Sequence, residues 1–289
     1  MKLLKITFSA FLLFSFGLAH AQDDLMSELD SIKSDKKEIE TAAFKGLQVC
    51  TMQSTKLAVK GEYYFLVAHR FGDLTNGINN FFGLDNALTK IGGIYGVTNW
   101  LQVGVSRHTY QKTYELAAKY KLANQMVDGF PVTIVGYNTM DINSELKKAS
   151  SPDLAFTNRL AYSTQLIVSR KFSESFSFEL APIYIHKNLY DAALDQKDLY
   201  LLGAGGRYKL TKRLSLNVEY AARLSLPDEF KSPYQNPLSV GLDIETGGHV
   251  FQLLFSNGQQ MNDVSYFSTS TGTGINKGIF FGFNIYRVF

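Results

Sequence analysis

The chain has 289 residues and a formal net charge of +3, a length that suits one large domain or two ordinary ones. Lys and Arg are scattered rather than gathered into the basic stripe that nucleic acid binding requires, so we expect no nucleic acid partner. Charged residues make up only 19% and aromatic residues 13% of the chain. Such a composition is unusual for a surface in water and indicates that many aromatic side chains face another medium.

The first 21 residues have the order of a secretory signal. Two lysines precede an apolar run over residues 6–18, and Ala19-His20-Ala21 forms a small-x-small cleavage site. The run is shorter than the roughly 20 residues that a helix needs to cross a bilayer. We therefore expect cleavage after Ala21 and export from the cytoplasm. Cys50 is the only cysteine, so no intrachain disulfide can form.

Residues 22–58 form a charged segment, expected in the periplasm, ahead of the first clear strand. Leu25, Leu29, Ile32 and Ile39 give a partial helical stripe, which predicts a short helix or a flexible tail. The end of the segment, from residue 47 to residue 61, has no clear period. It could pair as a short hairpin at the mouth of the next domain or plug its lumen, and the sequence does not choose.

From residue 60 onward, apolar and polar side chains alternate. In LSLNVEYAARL, Val218 and Tyr220 fall on one face while Asn217 and Glu219 fall on the other, a period of two that predicts a strand with one dry face. About twelve segments follow this pattern: 60–71, 89–97, 100–110, 113–123, 131–140, 157–170, 175–186, 197–210, 214–224, 237–246, 249–257 and 277–289. Long and short gaps largely alternate between them, as in a meander with one rim of tight turns.

Two architectures account for strands with one dry face. A soluble β-sandwich buries the apolar faces between two sheets, whereas a membrane barrel turns them toward lipid and carries aromatic girdles at both interfaces. The apolar faces carry these aromatic residues at the strand ends: Tyr63, Phe71, Tyr110, Phe176, Tyr184, Tyr200 and Tyr208. We therefore predict an all-β fold, a transmembrane antiparallel up-and-down β-barrel of about twelve strands over residues 59–289, surrounded by lipid of the bacterial outer membrane.

The last predicted strand places Phe281, Phe283, Ile285 and Phe289 on one face. A terminal strand with this aromatic row resembles the signal by which outer-membrane barrels are handed to the bacterial assembly machinery, so we expect that machinery to be a partner. Arg287 departs from the signal, which usually has an apolar residue there. Its stem can lie along apolar surface while the guanidinium reaches the lipid headgroups.

Five stretches of the chain are distinctive: HRFG at 69–72, FGLDNA at 82–87, GGRYKL at 205–210, DIETGGHVFQL at 243–253 and GFNIYRVF at 282–289. Together they resemble a bacterial outer-membrane β-barrel family catalogued as a domain of unknown function. The likeness runs from about residue 44 onward. It implies an outer-membrane barrel and supplies no activity, substrate or catalytic residue.

Nine charged residues fall on the faces predicted to line the lumen: Glu115, Lys119, Arg159, Glu179, Arg207, Glu219, Arg223, Asp243 and Glu245. They could line a pore or cavity for a small or lipid-like solute, or form an ion-pair network that fills the barrel. Eight-stranded barrels are filled by side chains and sixteen-stranded ones leave a channel, so about twelve strands leave both open. We expect a non-enzymatic pore or carrier without a cofactor; the oligomeric state stays open.

Two other functions are weighed against the pore. A hydrolase acting on lipid or peptide could use His69, His108 or His186 near the strand ends, and Ser106 shares a face with His108. However, no serine has a nucleophile-elbow sequence, and no acid evidently orients the histidine. A structural or partner-docking barrel would instead use the charged residues 22–40.

One turn carries potential metal ligands. Asp243, Glu245 and His249 lie around Thr246-Gly247-Gly248 and offer oxygen and nitrogen donors. The two glycines are explained by the positive φ angles that tight turns require, so we predict a turn and no metal site.

Overall fold

The computed structural model describes residues 38–146, 154–224, 232–246, 249–274 and 277–289. The expected signal peptide and residues 22–37 of the charged segment lie outside the described residues. The turn at Gly247 and Gly248 and the side chain of His249 also lie outside them. Within the described part of the chain, no helix is long and apolar enough to span a membrane.

The described residues form twelve strands, each antiparallel to its neighbours in sequence. They are β1 (Tyr63–Asp73), β2 (Leu88–Gly96), β3 (Leu101–His108), β4 (Thr113–Ala123), β5 (Thr133–Asn143), β6 (Leu160–Lys171), β7 (Phe176–Lys187), β8 (Asp198–Lys209), β9 (Leu214–Arg223), β10 (Leu238–Thr246), β11 (His249–Ser256) and β12 (Phe280–Val288). Pairing of β1 with β12 closes the sheet, so no strand edge remains free. The predicted up-and-down barrel is confirmed.

The two rims of the barrel differ in their connections. One rim, here the long-loop rim, carries the connections that follow β1, β5, β7, β9 and β11, together with the short turn at 109–112 after β3. The other, the short-turn rim, carries mostly tight turns and both ends of the sheet. There the amide of Phe289 donates to the carbonyl of Tyr63 at 2.9 Å, and the Tyr63 amide donates back at 3.3 Å. Phe289 is therefore hydrogen-bonded to the start of the first strand.

The strands alternate between a buried inner face and an exposed outer face. On β9, Val218 and Tyr220 are exposed, whereas Asn217 and Glu219 are 1% exposed. Exposed apolar side chains recur around the outer face: Val103, Leu116, Leu180, Leu202, Val240 and Leu253. No second sheet covers them in the described chain, which rules out the sandwich. A belt of this extent fits lipid rather than water.

Aromatic rings occupy both ends of the outer face. Tyr63 and Tyr208 are exposed at the short-turn rim, and Tyr200 is exposed toward the other. Across strands β1 and β12, Phe71 stacks on Phe281 with ring centroids 5.6 Å apart. Tyr110 differs from the prediction, because it lies in a 3-10 turn between β3 and β4 rather than at a strand end.

The connection between β11 and β12, where the alternation predicts no element, contains a short helix, α1 (Asp263–Thr269). Its residues are almost all buried, and it packs against β6 and β7. Tyr266 and Phe267 are fully buried beside Ile183 and Leu201 of the strands. A loop from the long-loop rim therefore folds back into the lumen.

The chain divides into two compact units, and the barrel unit comprises residues 40–125 and 131–289. The described part of the other unit is residues 38–39 and 126–130. Within it, Ile39 pairs with Met126 in an isolated antiparallel bridge, and the Val127 amide donates to the Glu38 carbonyl at 2.9 Å.

Candidate functional site: a plugged lumen

Residues 43–58 fill the lumen, and we call them the plug. Gln48 and Gln53 pair across a tight turn in which the Val49 amide donates to the Met52 carbonyl at 2.8 Å. Phe44 and Met52 are each 1% exposed. The two alternatives left open by the sequence therefore combine: the segment is a small hairpin, and it lies inside the barrel. The wall side chains that hold it come from strands on all sides.

Glu219 of β9 holds the tip of the plug. Its carboxylate accepts hydrogen bonds from the backbone amides of Cys50, Thr51 and Met52 at 2.9, 2.9 and 3.0 Å. The Tyr266 hydroxyl of α1 donates a fourth, at 2.9 Å. Successive amides that converge on one anion form a favourable, charge-assisted contact. Glu219 thus joins the wall, the plug and the helix from the opposite rim.

Lys119 of β4 holds the base of the plug. Its ammonium donates to the carbonyls of Leu47, Ser54 and Lys56 at 2.9, 3.1 and 3.3 Å. These three bonds use every hydrogen that the ammonium has. The ring of Tyr137 lies 5.5 Å from the same nitrogen, a cation–π contact. Lys119 is completely buried, so its charge is satisfied by plug backbone instead of water.

Side-chain amides complete the hold on the plug. Gln252 of β11 donates to the Val49 carbonyl at 2.9 Å and to the Asp243 carboxylate at 2.7 Å. Asn284 of β12 donates to the Cys50 carbonyl at 2.7 Å. Hydrogen bonds, and not a covalent cross-link, therefore hold the plug against the wall. Burial and the nearby carboxylates, mainly Glu219, raise the pKa of the Cys50 thiol well above its ordinary value, which keeps the thiol unreactive.

The nine charged residues predicted to line the lumen lie in different parts of the barrel. Glu115, Lys119, Glu179, Arg207, Glu219 and Asp243 are buried on the inner face. Glu245 is partly exposed near the short-turn rim, where it contacts Arg207 at 3.1 Å and Lys45 of the plug at 3.8 Å. Arg223 donates to the Ser268 carbonyl of α1 at 2.8 Å. Arg159 lies in a 3-10 turn before β6, at the long-loop rim.

The three candidate histidines do not form one site. His108 faces the lumen, whereas His69 stacks on Phe283 of the outer face and His186 lies 2.7 Å from Asp198. Contrary to the expectation from the sequence, an acid does approach His108: Glu115, which lies directly opposite Ser106 on the neighbouring strand.

The geometry around His108 is not that of a catalytic triad. Ser106 Oγ is 3.1 Å and the Glu115 carboxylate 3.5 Å from the same nitrogen, Nε2. A triad acid binds the other nitrogen and orients the ring from there. Glu115 is also paired with Lys90 at 2.9 Å. Among the residues whose positions are described, no group of three or more His, Cys, Asp or Glu side chains is placed to hold a metal ion.

One small cavity borders the plug. This cavity, of about 30 Å³, lies between the plug and strands β12 and β1 to β5, lined in part by Gln48, Lys90, Glu115 and Tyr286. A volume of that size holds one or two water molecules. In this conformation the plug blocks this part of the lumen to larger solutes.

Comparison with known proteins agrees with this architecture. The solved NanC porin has a TM-score of 0.50 and 9% identity, covering 78% of this chain and 98% of its own. The KdgM porin has a TM-score of 0.48 and 11% identity, covering 78% of this chain and 99% of its own. An outer membrane channel from Pseudomonas putida F1 has a TM-score of 0.45 and 15% identity, covering 81% of this chain and 97% of its own. At 9% identity, the NanC likeness shows a shared barrel fold alone.

The sequence comparisons place the chain in a family. No curated protein matches it. Residues 44–289 match the model of the family DUF5777, described as a membrane bound beta barrel domain. That match spans most of the chain, including residues 44–58 of the plug and all twelve strands. The protein is therefore a member of the membrane-bound β-barrel family DUF5777.

Proposed function

We propose that the protein is a non-enzymatic pore or carrier of the bacterial outer membrane for a small solute, and that the plug closes it. The observation that carries the proposal is the pair of buried charges, Glu219 and Lys119, that hold the plug by its backbone. Both contacts are polar and can be exchanged for water. When the plug moves, these groups become part of a hydrated, polar pathway instead of being left unsatisfied.

The position of the plug in the chain also supports a gate. The plug precedes β1 directly, and β1 starts at the short-turn rim. It can therefore leave through that rim without breaking any strand pair of the barrel. The nine charged residues predicted to line the lumen would then line or border the pathway.

Export by a signal peptide cleaved after Ala21 is part of the same proposal. Recognition of the last strand by the assembly machinery is a further part. Phe281, Phe283 and Ile285 lie on the lipid side of β12, and the Arg287 guanidinium lies 4.7 Å from the Phe289 ring. This contact leaves the basic residue in the aromatic row without burying its charge.

Planar-bilayer recording tests the proposal. The intact protein is expected to conduct in rare openings, and Glu219→Gln is expected to conduct more often because its plug is held less tightly. Glu174→Gln, in an exposed turn between β6 and β7, makes the same chemical change outside the lumen wall and is the matched control. Absence of current in every variant, together with no co-purifying solute in mass spectrometry, would exclude a pore or carrier.

The hydrolase and docking alternatives have separate tests. His108→Ala is expected to leave phospholipid and peptide hydrolysis at background, the same as the intact protein, and clear hydrolysis lost in that variant would support an enzyme. Deleting residues 22–40 is expected to leave co-purifying proteins unchanged. Loss of a specific protein on deletion would favour the docking barrel instead.

A further inference from the structure

A second cavity, of about 260 Å³, lies at the long-loop rim, and we call it the rim cavity. One wall is a face of α1, with Val264 and Ser268 among its residues. Other parts of the wall come from four different connections or strand ends, and include Tyr110, Arg159, Lys187, Tyr190 and Tyr234. Its volume lies just below the roughly 300–1,000 Å³ of pockets for drug-sized ligands, which points to a smaller molecule.

Among the described residues that line the rim cavity, one cation, Arg159, and one carboxylate, Asp191, form no ion pair. Lys187 is ion-paired with Asp195. The carboxylate of Asp191 accepts from the Ala193 amide at 2.9 Å. Arg159 donates one hydrogen bond, to the Asn143 carbonyl at 3.0 Å, and has no carboxylate within ion-pair distance in the described chain. Its guanidinium has five donors in a planar fork, the geometry that matches a carboxylate.

A buried hydroxyl also lacks a partner in this cavity. Ser268 is 1% exposed, and its Oγ has no hydrogen-bond partner among the described residues. Leaving a buried polar group unsatisfied destabilises a protein, so such a group needs an explanation. Ser268 is one of the residues that line the rim cavity, so rotation of its side chain about χ1 would turn the hydroxyl toward a bound molecule.

Tyrosine side chains form part of the apolar lining, beside aliphatic residues such as Leu160, Leu189 and Val264. Tyr110, Tyr190 and Tyr234 come from three separate connections and border the same space. Flat rings favour a flat ligand, because stacked or edge-on contacts bury area at little conformational cost. Burial, and next the Asp195 charge, raises the pKa of Tyr234, so its phenol stays protonated and can donate.

We propose that the rim cavity binds a small planar organic carboxylate, with the carboxylate on Arg159 and the flat part of the molecule among the three tyrosines. The inference rests on the proposed function, since it names the class of solute that would enter from this rim. Binding does not require the plug to move. Tyr266 extends from the same helix to Glu219, so the rim cavity and the plug share α1 as a common support.

Isothermal titration of the detergent-solubilised full chain tests this proposal, with benzoate as the probe and benzamide as its uncharged counterpart. We expect saturable benzoate binding and about tenfold weaker binding of benzamide, the difference that one charge-assisted contact provides. Arg159→Gln is expected to weaken benzoate binding about tenfold without changing benzamide binding. Arg170→Gln, on the exposed face at the opposite end of β6, is the matched control and is expected to bind like the intact chain.

Three results would overturn the proposal: no saturable benzoate binding, equal binding of the two probes, or equal benzoate binding by the intact chain and Arg159→Gln. A heat-modifiable band on a gel shows that each variant is a folded barrel. Bilayer recording of the same preparations separates the two proposals. Conduction without benzoate binding would remove the carboxylate site alone, and benzoate binding without conduction would remove the pore alone.

Discussion

Replacement of Glu219 by Gln tests how the plug is held. The side chain keeps its shape, but one carboxylate oxygen becomes an NH2 group. That group would point at backbone amides that are themselves donors, because the carboxylate accepts from Cys50, Thr51 and Met52 with its two oxygens. Donor would face donor at the tip of the plug. We expect the plug to leave the lumen more often.

The magnitude follows from the number of bonds lost. A hydrogen bond to a charged group contributes about 1.5–3 kcal/mol, and the substitution removes or weakens roughly two of them, about 3–6 kcal/mol. Part of this is offset, because a neutral amide is less costly to bury than a carboxylate. A net loss of about 2–4 kcal/mol remains. Even 2 kcal/mol multiplies the population of the displaced plug about 30-fold.

Cys50 reports this population directly. It is the only cysteine, lies at the tip of the plug, and is 1% exposed, so a maleimide reaches it only when the plug moves. Labelling of the barrel in detergent should be about 30-fold faster in Glu219→Gln, by the same arithmetic, and unchanged in Glu174→Gln. Labelling as slow as in the intact protein would refute the reasoning. Slower labelling would show that the desolvation cost of the carboxylate exceeds its hydrogen bonds.

Three further outcomes are expected. Lys119→Met leaves the carbonyls of Leu47, Ser54 and Lys56 without their donor, so Cys50 labelling should rise at least about tenfold; an unchanged rate would contradict this. Burial, and next the Glu115 charge, raises the pKa of Asp263 in α1 to about 7, so the folded chain binds this proton more tightly than the unfolded chain. Stability should therefore fall as pH rises from about 4 to about 7 and then level off, and a melting series in which Asp263→Asn keeps the same slope would refute the assignment. Deleting Phe289 removes the backbone bonds to Tyr63 and the end of the aromatic row, so less heat-modifiable barrel should reach the membrane in cells; normal yield would contradict the assembly role.

The barrel itself could be predicted from the sequence, because each strand carries its own local signal. On β9 the alternation of Val218 and Tyr220 with Asn217 and Glu219 needs only neighbours in the chain, and one face in lipid preserves it. Every strand was predicted to within a few residues. Six of the nine charged residues predicted for the lumen lie buried on the inner face, whereas Arg159 lies in a turn outside the strand period.

The partners of those residues could not be predicted. Glu219 contacts amides 167 to 169 positions away, and Lys119 contacts carbonyls 63 to 72 positions away, and no local pattern encodes such pairings. Helix α1 was missed for a related reason. Its seven residues include Asp263, Ser265 and Ser268, because it is buried in a polar lumen, so it lacks the apolar stripe by which buried helices are recognised.

The plug could be predicted only in part. Residues 47–61 contain no strand period because the plug makes only one isolated bridge, between Gln48 and Gln53. Its backbone is instead satisfied by wall side chains, which come from β4, β9, β11 and β12. The alternation of residues in a sequence predicts on which face of a strand each side chain lies. It does not predict that a backbone segment is hydrogen-bonded by side chains distant in the sequence.

A reversible covalent lock tests the gate most directly. A Cβ added at Gly241 of β10 would lie 2.9 Å from Cys50 Sγ, close to the distance of about 3 Å found across a disulfide. In the double variant Gly241→Cys, Glu219→Gln, oxidation should therefore form a disulfide between Cys50 and position 241 that ties the loosened plug to the wall. Gly241→Ala in place of Gly241→Cys is the steric control. We expect bilayer current in the reduced double variant, none after oxidation, and recovery on adding dithiothreitol. Equal current in the oxidised and reduced forms, with the disulfide verified by mass spectrometry, would contradict a plug that closes the pore.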